Sequence, residues 1–134
     1  MTQPAGLLDT SVFIANETGR PVGALPAKVA VSVVTIGELQ LGVLAATDAA
    51  ARVRRADTLD LARRAEPIPI SEAVMVTWAH LVADCRAAGV QRAVKLSDTL
   101  IAATAIEHGL PVVTQDDDYD RLARAHPQLT VIRV

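Results

Sequence analysis

The sequence predicts an α/β domain, a mainly parallel central sheet flanked by helices. Three observations carry this. Short apolar runs rich in β-branched residues alternate with longer stretches of helical apolar spacing. Several of those runs are apolar at successive positions, as expected of strands buried on both faces. The chain has 134 residues, 51% of them apolar, enough for one core. It shows no repeat, low-complexity stretch or linker that would divide it, so residues 1–134 read as a single domain.

The elements follow in order. Gly6, Leu7 and Leu8 read as a short buried strand that ends at Asp9, and residues 11–18 as a short helix. Residues 29–34, "VAVSVV", are β-branched enough for a strand, and residues 35–46 then take up helical spacing. Residues 48–65, with their arginines, read as a mostly solvated helix. Residues 67–70, "PIPI", are extended, and the prolines suit a sheet edge or a strand end. Ser71 starts a helix to residue 87, which Gly89 stops. Ser97 caps a helix to residue 108, followed by Gly109. Residues 111–114, "PVVT", form a strand, residues 118–126 a short helix and residues 130–134 a last strand.

Composition narrows the function. Aromatics are 2% of the chain, namely Phe13, Trp78 and Tyr119, so the core is aliphatic. The formal net charge is -2, which does not suit a generic polyanion binder. The charge is uneven, however, with Arg52, Arg54, Arg55, Arg63 and Arg64 close together. The lone Cys85 excludes an internal disulfide and a cysteine-rich zinc site. The start, "MTQPAGLLDTS", lacks the basic and long apolar stretches of a secretory signal. No run has the length of a membrane span. A cytoplasmic protein without membrane attachment is expected.

The acids fall at repeated places on this map. Asp9 ends the first strand. Glu38 lies in the first turn of the helix after the second strand, and Asp98 in the first turn of the helix leading to "PVVT". Asp116, Asp117 and Asp118 follow that strand. In a parallel α/β sheet the strand ends and helix starts share one edge, the edge at which such folds bind ligands. Each acid alone has a capping explanation. Thr35 to Glu38 matches a capping box, Asp98 follows Ser97 at a positive helix end, and Asp9, Asp116 or Asp118 could cap the helices they precede.

Two features favour a shared site. Asp98 shares a helix face with Ile101, Ala102 and Ala105, and Glu38 with Leu41, Gly42 and Ala45. Acids on such apolar faces are expected to point inward. Crowded carboxylates repel and resist desolvation, so either some hold protons or a cation neutralises them. Oxygen donors without cysteine or well-placed histidine suit Mg²⁺ or Mn²⁺, and carboxylate-held ions of this kind serve phosphate-ester hydrolysis. His80, His108 and His126 are scattered and read as surface or packing residues.

Three segments, "LLDTSVFIA", "VSVVTIGELQLGV" and "LSDTLIAATAIEHGLPVVTQD", resemble the successive motifs of PIN-domain ribonucleases. The nearest branch is the VapC-type toxins of bacterial toxin–antitoxin pairs. The resemblance implies a PIN-like fold with Asp9, Glu38, Asp98 and Asp116 as the catalytic, metal-holding acids. Thr10, Ser11, Thr114 and Asp118 would support them, and Asp117 would face solvent. It also implies a Mg²⁺- or Mn²⁺-dependent endoribonuclease, an RNA substrate, a homodimer and a cognate VapB-type antitoxin that blocks the site. The chain departs from many relatives in its compact "TQDDDY".

RNA would be held through Arg20, Arg52, Arg55, Arg92 and Lys95. The arginine cluster also reads as an ordinary solvated helix face. Stacking platforms are few, so shape and phosphate contacts would dominate. The stripe Val74, Met75, Trp78 and Val82 suits core or a dimer face. Two other functions stay open. An aspartyl-nucleophile phosphatase would use Asp9, but Ser11 stands where a second acid is expected. A non-catalytic PIN-like binding module would use the acids only structurally.

Overall fold

Along residues 4–134, which the computed structural model describes, strands and helices alternate as the apolar spacing implies. The first three residues of the stretch read for a signal lie outside them. The order is β1 (Ala5–Leu8), α1 (Thr10–Thr18), β2 (Lys28–Ala30), α2 (Val33–Leu44), α3 (Ala49–Arg63) and α4 (Glu72–Ala87). A 3-10 turn, Gln91–Ala93, leads to α5 (Leu96–Glu107), β3 (Val112–Thr114), α6 (Asp118–Ala125) and β4 (Val131–Arg133).

The strands form one sheet in the order β2-β1-β3-β4. Every pairing is parallel, with Gly6 opposite Val29, Leu7 opposite Val112 and Val113 opposite Ile132. Consecutive strand residues face opposite sides, and the core divides accordingly. Leu7 and Val112 pack with Leu81, Ile101, Ala102 and Leu122 from α4, α5 and α6. Leu8 and Val113 pack with Val12, Phe13, Leu39 and Leu59 from α1, α2 and α3. Two helical layers therefore sandwich a sheet whose central strands are largely buried. The sheet is close-packed at Gly6, where an added Cβ would stand 2.6 Å from Cγ2 of Val113 and 3.1 Å from Pro26.

Several boundaries differ from the sequence reading, for physical reasons. The strand expected over residues 29–34 stops at Ala30. Ser32 then ends it by capping α2, its Oγ accepting from the Val34 amide at 3.0 Å. The backbone continues the sheet only by a single bridge between Ser32 and Ile68, so "PIPI" lies at the sheet edge as its prolines require. Because α2 starts earlier, Glu38 sits in its second turn. The capping box from Thr35 to Glu38 is absent. The Thr35 amide goes instead to the Ser32 carbonyl at 3.0 Å.

At α5 the N-cap is Lys95, without a side-chain cap bond, and Ser97 lies inside the helix. Asp117 takes the N-cap position of α6, also without a side-chain bond. The Ser71 cap holds, accepting from the Val74 amide at 3.2 Å, and Asp48 caps α3 through the Ala51 amide at 2.8 Å.

The chain runs from β1 to β2 on one side and reaches β3 on the other side of β1. The carboxyl ends of β1 and β3 therefore flank the point where strand order reverses, the usual ligand crevice of an open parallel sheet. Asp9 directly follows β1, and Gln115 and Asp116 directly follow β3.

Candidate active site

A cleft of about 150 Å³ opens at that crevice. It is lined by Asp9, Thr10, Ser11, Ile14, Glu38, Lys95, Asp98, Asp116 and Asp118. Five carboxylates from four separate stretches of chain thus converge with one ammonium group among them. The four acids singled out as catalytic all line this cleft, with Thr10, Ser11 and Asp118 beside them, while Asp117 is exposed.

Asp9 is the fixed point. It is 4% exposed and caps α1, accepting weakly from the Ser11 amide at 3.4 Å. Tyr119 donates its hydroxyl to Oδ1 at 2.8 Å, and Thr114 donates Oγ1–H to Oδ2 at 3.0 Å. Thr114 has one proton, so the contact of 3.2 Å between the Ser11 and Thr114 hydroxyls has Ser11 as donor. The same Thr114 oxygen accepts from the Asp116 amide at 3.0 Å, and Ser11 Oγ accepts from the Gln115 amide at 3.0 Å. These bonds tie the segment after β3 to the start of α1.

Glu38 is held by a second chain of hydroxyls. Thr10 donates to Oε1 of Glu38 at 2.7 Å, and Thr35 stands 2.9 Å from Thr10 Oγ1. Since the Thr10 proton goes to the carboxylate, Thr35 is the donor to Thr10. The apolar face expected beside Glu38 does not pack inward, because Leu41 is 67% exposed. The buried residues of α2 are Thr35 and Leu39. Hydroxyl donors, rather than an apolar face, aim Glu38 at the site.

Asp98 fits its expected face, with Ile101, Ala102 and Ala105 fully buried below it. Burial pushes its carboxyl up to about 6. The neighbouring Asp9, Asp118 and Glu38 charges add to the shift, against a pull from Lys95. Asp116 is also raised, first by burial and then by Asp9 and Asp118, while Lys95 and Arg20 act the other way. The Tyr119 hydroxyl is held protonated by burial and by the Asp9, Asp98 and Glu38 charges.

Among the described residues, no three His, Cys, Asp or Glu side chains are already gathered closely enough to clasp an ion. The donor set nevertheless fits a hard divalent cation. It is all oxygen, burial and neighbouring carboxylates raise Asp98 and Asp116, and Mg²⁺ commonly keeps several waters and needs only one or two direct carboxylates.

The basic residues are divided. Lys95 lines the cleft. Arg20 is close enough to act on Asp116. Arg55 lines the adjoining groove with Glu38, anchored to the Gly42 carbonyl at 2.7 Å. Arg52 instead bonds the Ala46 carbonyl at 3.3 Å, and Arg92 is exposed on the 3-10 turn. Neither lines the cleft.

The histidines stay out of the site. His80 and His108 are exposed, and His126 is buried with Nδ1 2.6 Å from Asp84. Cys85 is buried in the core, its thiol pushed up by burial, which leaves it unsuited to nucleophilic work. In the α4 stripe Val74 is fully buried and Met75 is 39% exposed, while Trp78 donates to Thr99 at 2.9 Å.

Two contributors escape the sequence pattern. Tyr119 reads there only as the end of the compact "TQDDDY", with no role in the site, and Thr35 as a cap. The only sequence signal for Tyr119 is its place three residues after Asp116 in a chain with a single tyrosine.

Comparison with known proteins agrees with this fold. Residues 6–125 match the PIN domain. The chain is 70% identical over 100 residues to Ribonuclease VapC8 of Mycobacterium tuberculosis, covering 75% of this chain and 89% of that protein. It is 47% identical over 130 residues to Ribonuclease VapC4 of the same organism, covering 96% and 95%. The crystal structure of VapBC-5 from Mycobacterium tuberculosis, a member of the VapBC family of toxin-antitoxin systems, matches with a TM-score of 0.83 at 39% identity, covering 97% of this chain and 98% of that one. With a PIN-domain match over residues 6–125 and relatives of this identity and coverage, the chain belongs to the PIN-domain family, in its VapC branch.

Proposed function

We propose that this chain is a divalent-metal-dependent endoribonuclease and the toxin of a toxin–antitoxin pair. The observation that carries the reading is the convergence of Asp9, Glu38, Asp98, Asp116 and Asp118 on one cleft at the switch point of the sheet. The names of its relatives, ribonucleases of the VapC type, point the same way.

Asp9, Asp98, Asp116 and Glu38 would hold the ion, Mg²⁺ or Mn²⁺. When bound, such an ion supplies Lewis acidity toward a phosphoryl oxygen and makes a nearby water more acidic. The chain's own residues do the rest. Thr114 and Ser11 fix the orientation of Asp9, and Thr10 with Thr35 fixes that of Glu38. Lys95, Arg20 and Arg55 bring positive charge to the rim, where a phosphodiester backbone would lie. RNA held this way should bind more weakly as salt rises.

A phosphatase using Asp9 as nucleophile is disfavoured, since Ser11 stands where such an enzyme would carry its second acid. A VapB-type antitoxin is the expected partner, supported by the toxin–antitoxin complex that the chain resembles. A homodimer and a cytoplasmic location belong to the same reading. No helix among the described residues is long and apolar enough to cross a membrane.

The test is cleavage of total bacterial RNA by purified, antitoxin-free protein, with Mg²⁺ or Mn²⁺ against EDTA, and with Asp98→Asn alongside. Discrete fragments that need both metal and Asp98 are expected. Cleavage that survives in Asp98→Asn sinks the site assignment. Intact RNA in every lane shifts the reading to a non-catalytic binding module.

A further inference from the structure

We infer that Tyr119 is a positioning residue of the acidic site, its hydroxyl locking the Asp9 carboxylate in place. The inference rests on the metal-site reading above and extends it to a residue outside the set of acids.

Tyr119 is the largest fully buried side chain among the described residues. It lies in the aliphatic cluster beneath the sheet, against residues such as Leu7, Ile101 and Val112. Packing there asks only for an apolar ring. A buried phenolic oxygen, by contrast, needs a polar partner. The partners it has are the two acids, Asp9 Oδ1 at 2.8 Å and Asp98 Oδ1 at 3.4 Å. Its one proton goes to the nearer acceptor, Asp9.

Thr114 supplies the donor for the other oxygen, Oδ2, at 3.0 Å. Two donors from separate elements, α6 and the end of β3, therefore fix the plane of the Asp9 carboxylate. Oδ1 retains a lone pair for the cleft, while Oδ2 also takes the weak bond from the Ser11 amide at 3.4 Å. The ring cannot drift, because the core encloses it. Partners behind a metal-holding carboxylate commonly set its geometry, and their loss weakens metal binding about 10–100-fold.

The experiment uses Tyr119→Phe, which keeps the ring and removes only the oxygen. Free Mn²⁺ is followed by electron paramagnetic resonance as the ion is added to metal-free protein, well below the melting temperature of either form. Circular dichroism checks the fold. An Mn²⁺ dissociation constant raised about tenfold in a folded variant supports the inference, since a merely space-filling tyrosine would leave it unmoved. An unchanged constant overturns it and leaves the acidic site standing. No Mn²⁺ binding by the unaltered chain overturns both.

A second readout needs no variant. Tyr119 is the chain's single tyrosine, so Mg²⁺ should produce a tyrosine difference spectrum in the near ultraviolet. A flat difference spectrum at saturating Mg²⁺ overturns the coupling even if Tyr119→Phe fails to fold.

Discussion

Oγ1 of Thr10 lies 2.7 Å from Oε1 of Glu38, across 28 residues of sequence, and Thr35 completes the chain from behind at 2.9 Å. This contact turns Glu38 toward the site, although Leu41 and Ala45 beyond it on the same helix face are exposed.

Replacing Thr10 with valine keeps the volume and removes the hydroxyl. Thr35, fully buried, then loses its acceptor. An unsatisfied buried hydroxyl costs about 1–3 kcal/mol. Urea unfolding in EDTA should show that loss, and metal-dependent RNA cleavage should fall as well. Unchanged stability and cleavage would show that neither bond matters.

Asp98→Asn should separate function from stability. The asparagine removes a charge that Asp9, Asp118 and Glu38 oppose. In EDTA near neutral pH the variant should melt above the unaltered protein, while RNA cleavage disappears. Such opposition between stability and activity is expected where like charges are gathered for a purpose. A lower melting temperature in the variant counts against mutual repulsion.

The pH dependence has a definite sign. The Asp98 carboxyl has a folded value of about 6, raised from 3.8, so the folded protein holds this proton more tightly than the unfolded chain. Its contribution to stability is fully present below the unfolded value and is lost as the pH rises through about 6. Asp116 acts in the same direction. Relative to Asp98→Asn, the metal-free protein should therefore gain ground as the pH falls through about 6. Thermal melts of both across that range check it, and a constant gap between them refutes it.

Metal should reverse the penalty. An ion that binds only the folded chain stabilises it by about 2.7 kcal/mol at a hundredfold excess over its dissociation constant, a shift of several degrees for a domain of this size. Binding near pH 6 should also release protons, since Asp98 must ionise to hold the ion. Calorimetry in two buffers of different ionisation enthalpy measures that release. No melting shift at saturating Mg²⁺ would mean that the acids do not share an ion.

Gly6→Ala tests the sheet that carries the site. The new methyl would meet Val113 at 2.6 Å and Pro26 at 3.1 Å. Overpacking of this kind costs about 1–3 kcal/mol. The register of β1 against β3 sets the spacing of Asp9 from Asp116, so activity should fall with stability. A variant as stable as the parent would mean that the strands yield at no cost.

By itself the sequence determined the alternation of strands and helices, the aliphatic core and the acids at strand ends. It could do so because apolar periodicity and caps such as Ser71 are local properties of the chain. The resemblance of its motifs then singled out Asp9, Glu38, Asp98 and Asp116, all of which meet at one cleft.

Tertiary structure alone decided the rest. Whether Ser32 or Thr35 capped α2 depended on where β2 left the sheet. The outward face of Leu41 followed from which side of α2 met α3 and the sheet. The bonds that orient the acids join residues such as Tyr119 and Asp9, 110 positions apart. A hydroxyl proton finds its acceptor only once packing has brought the two groups together, so no local pattern could announce that partnership.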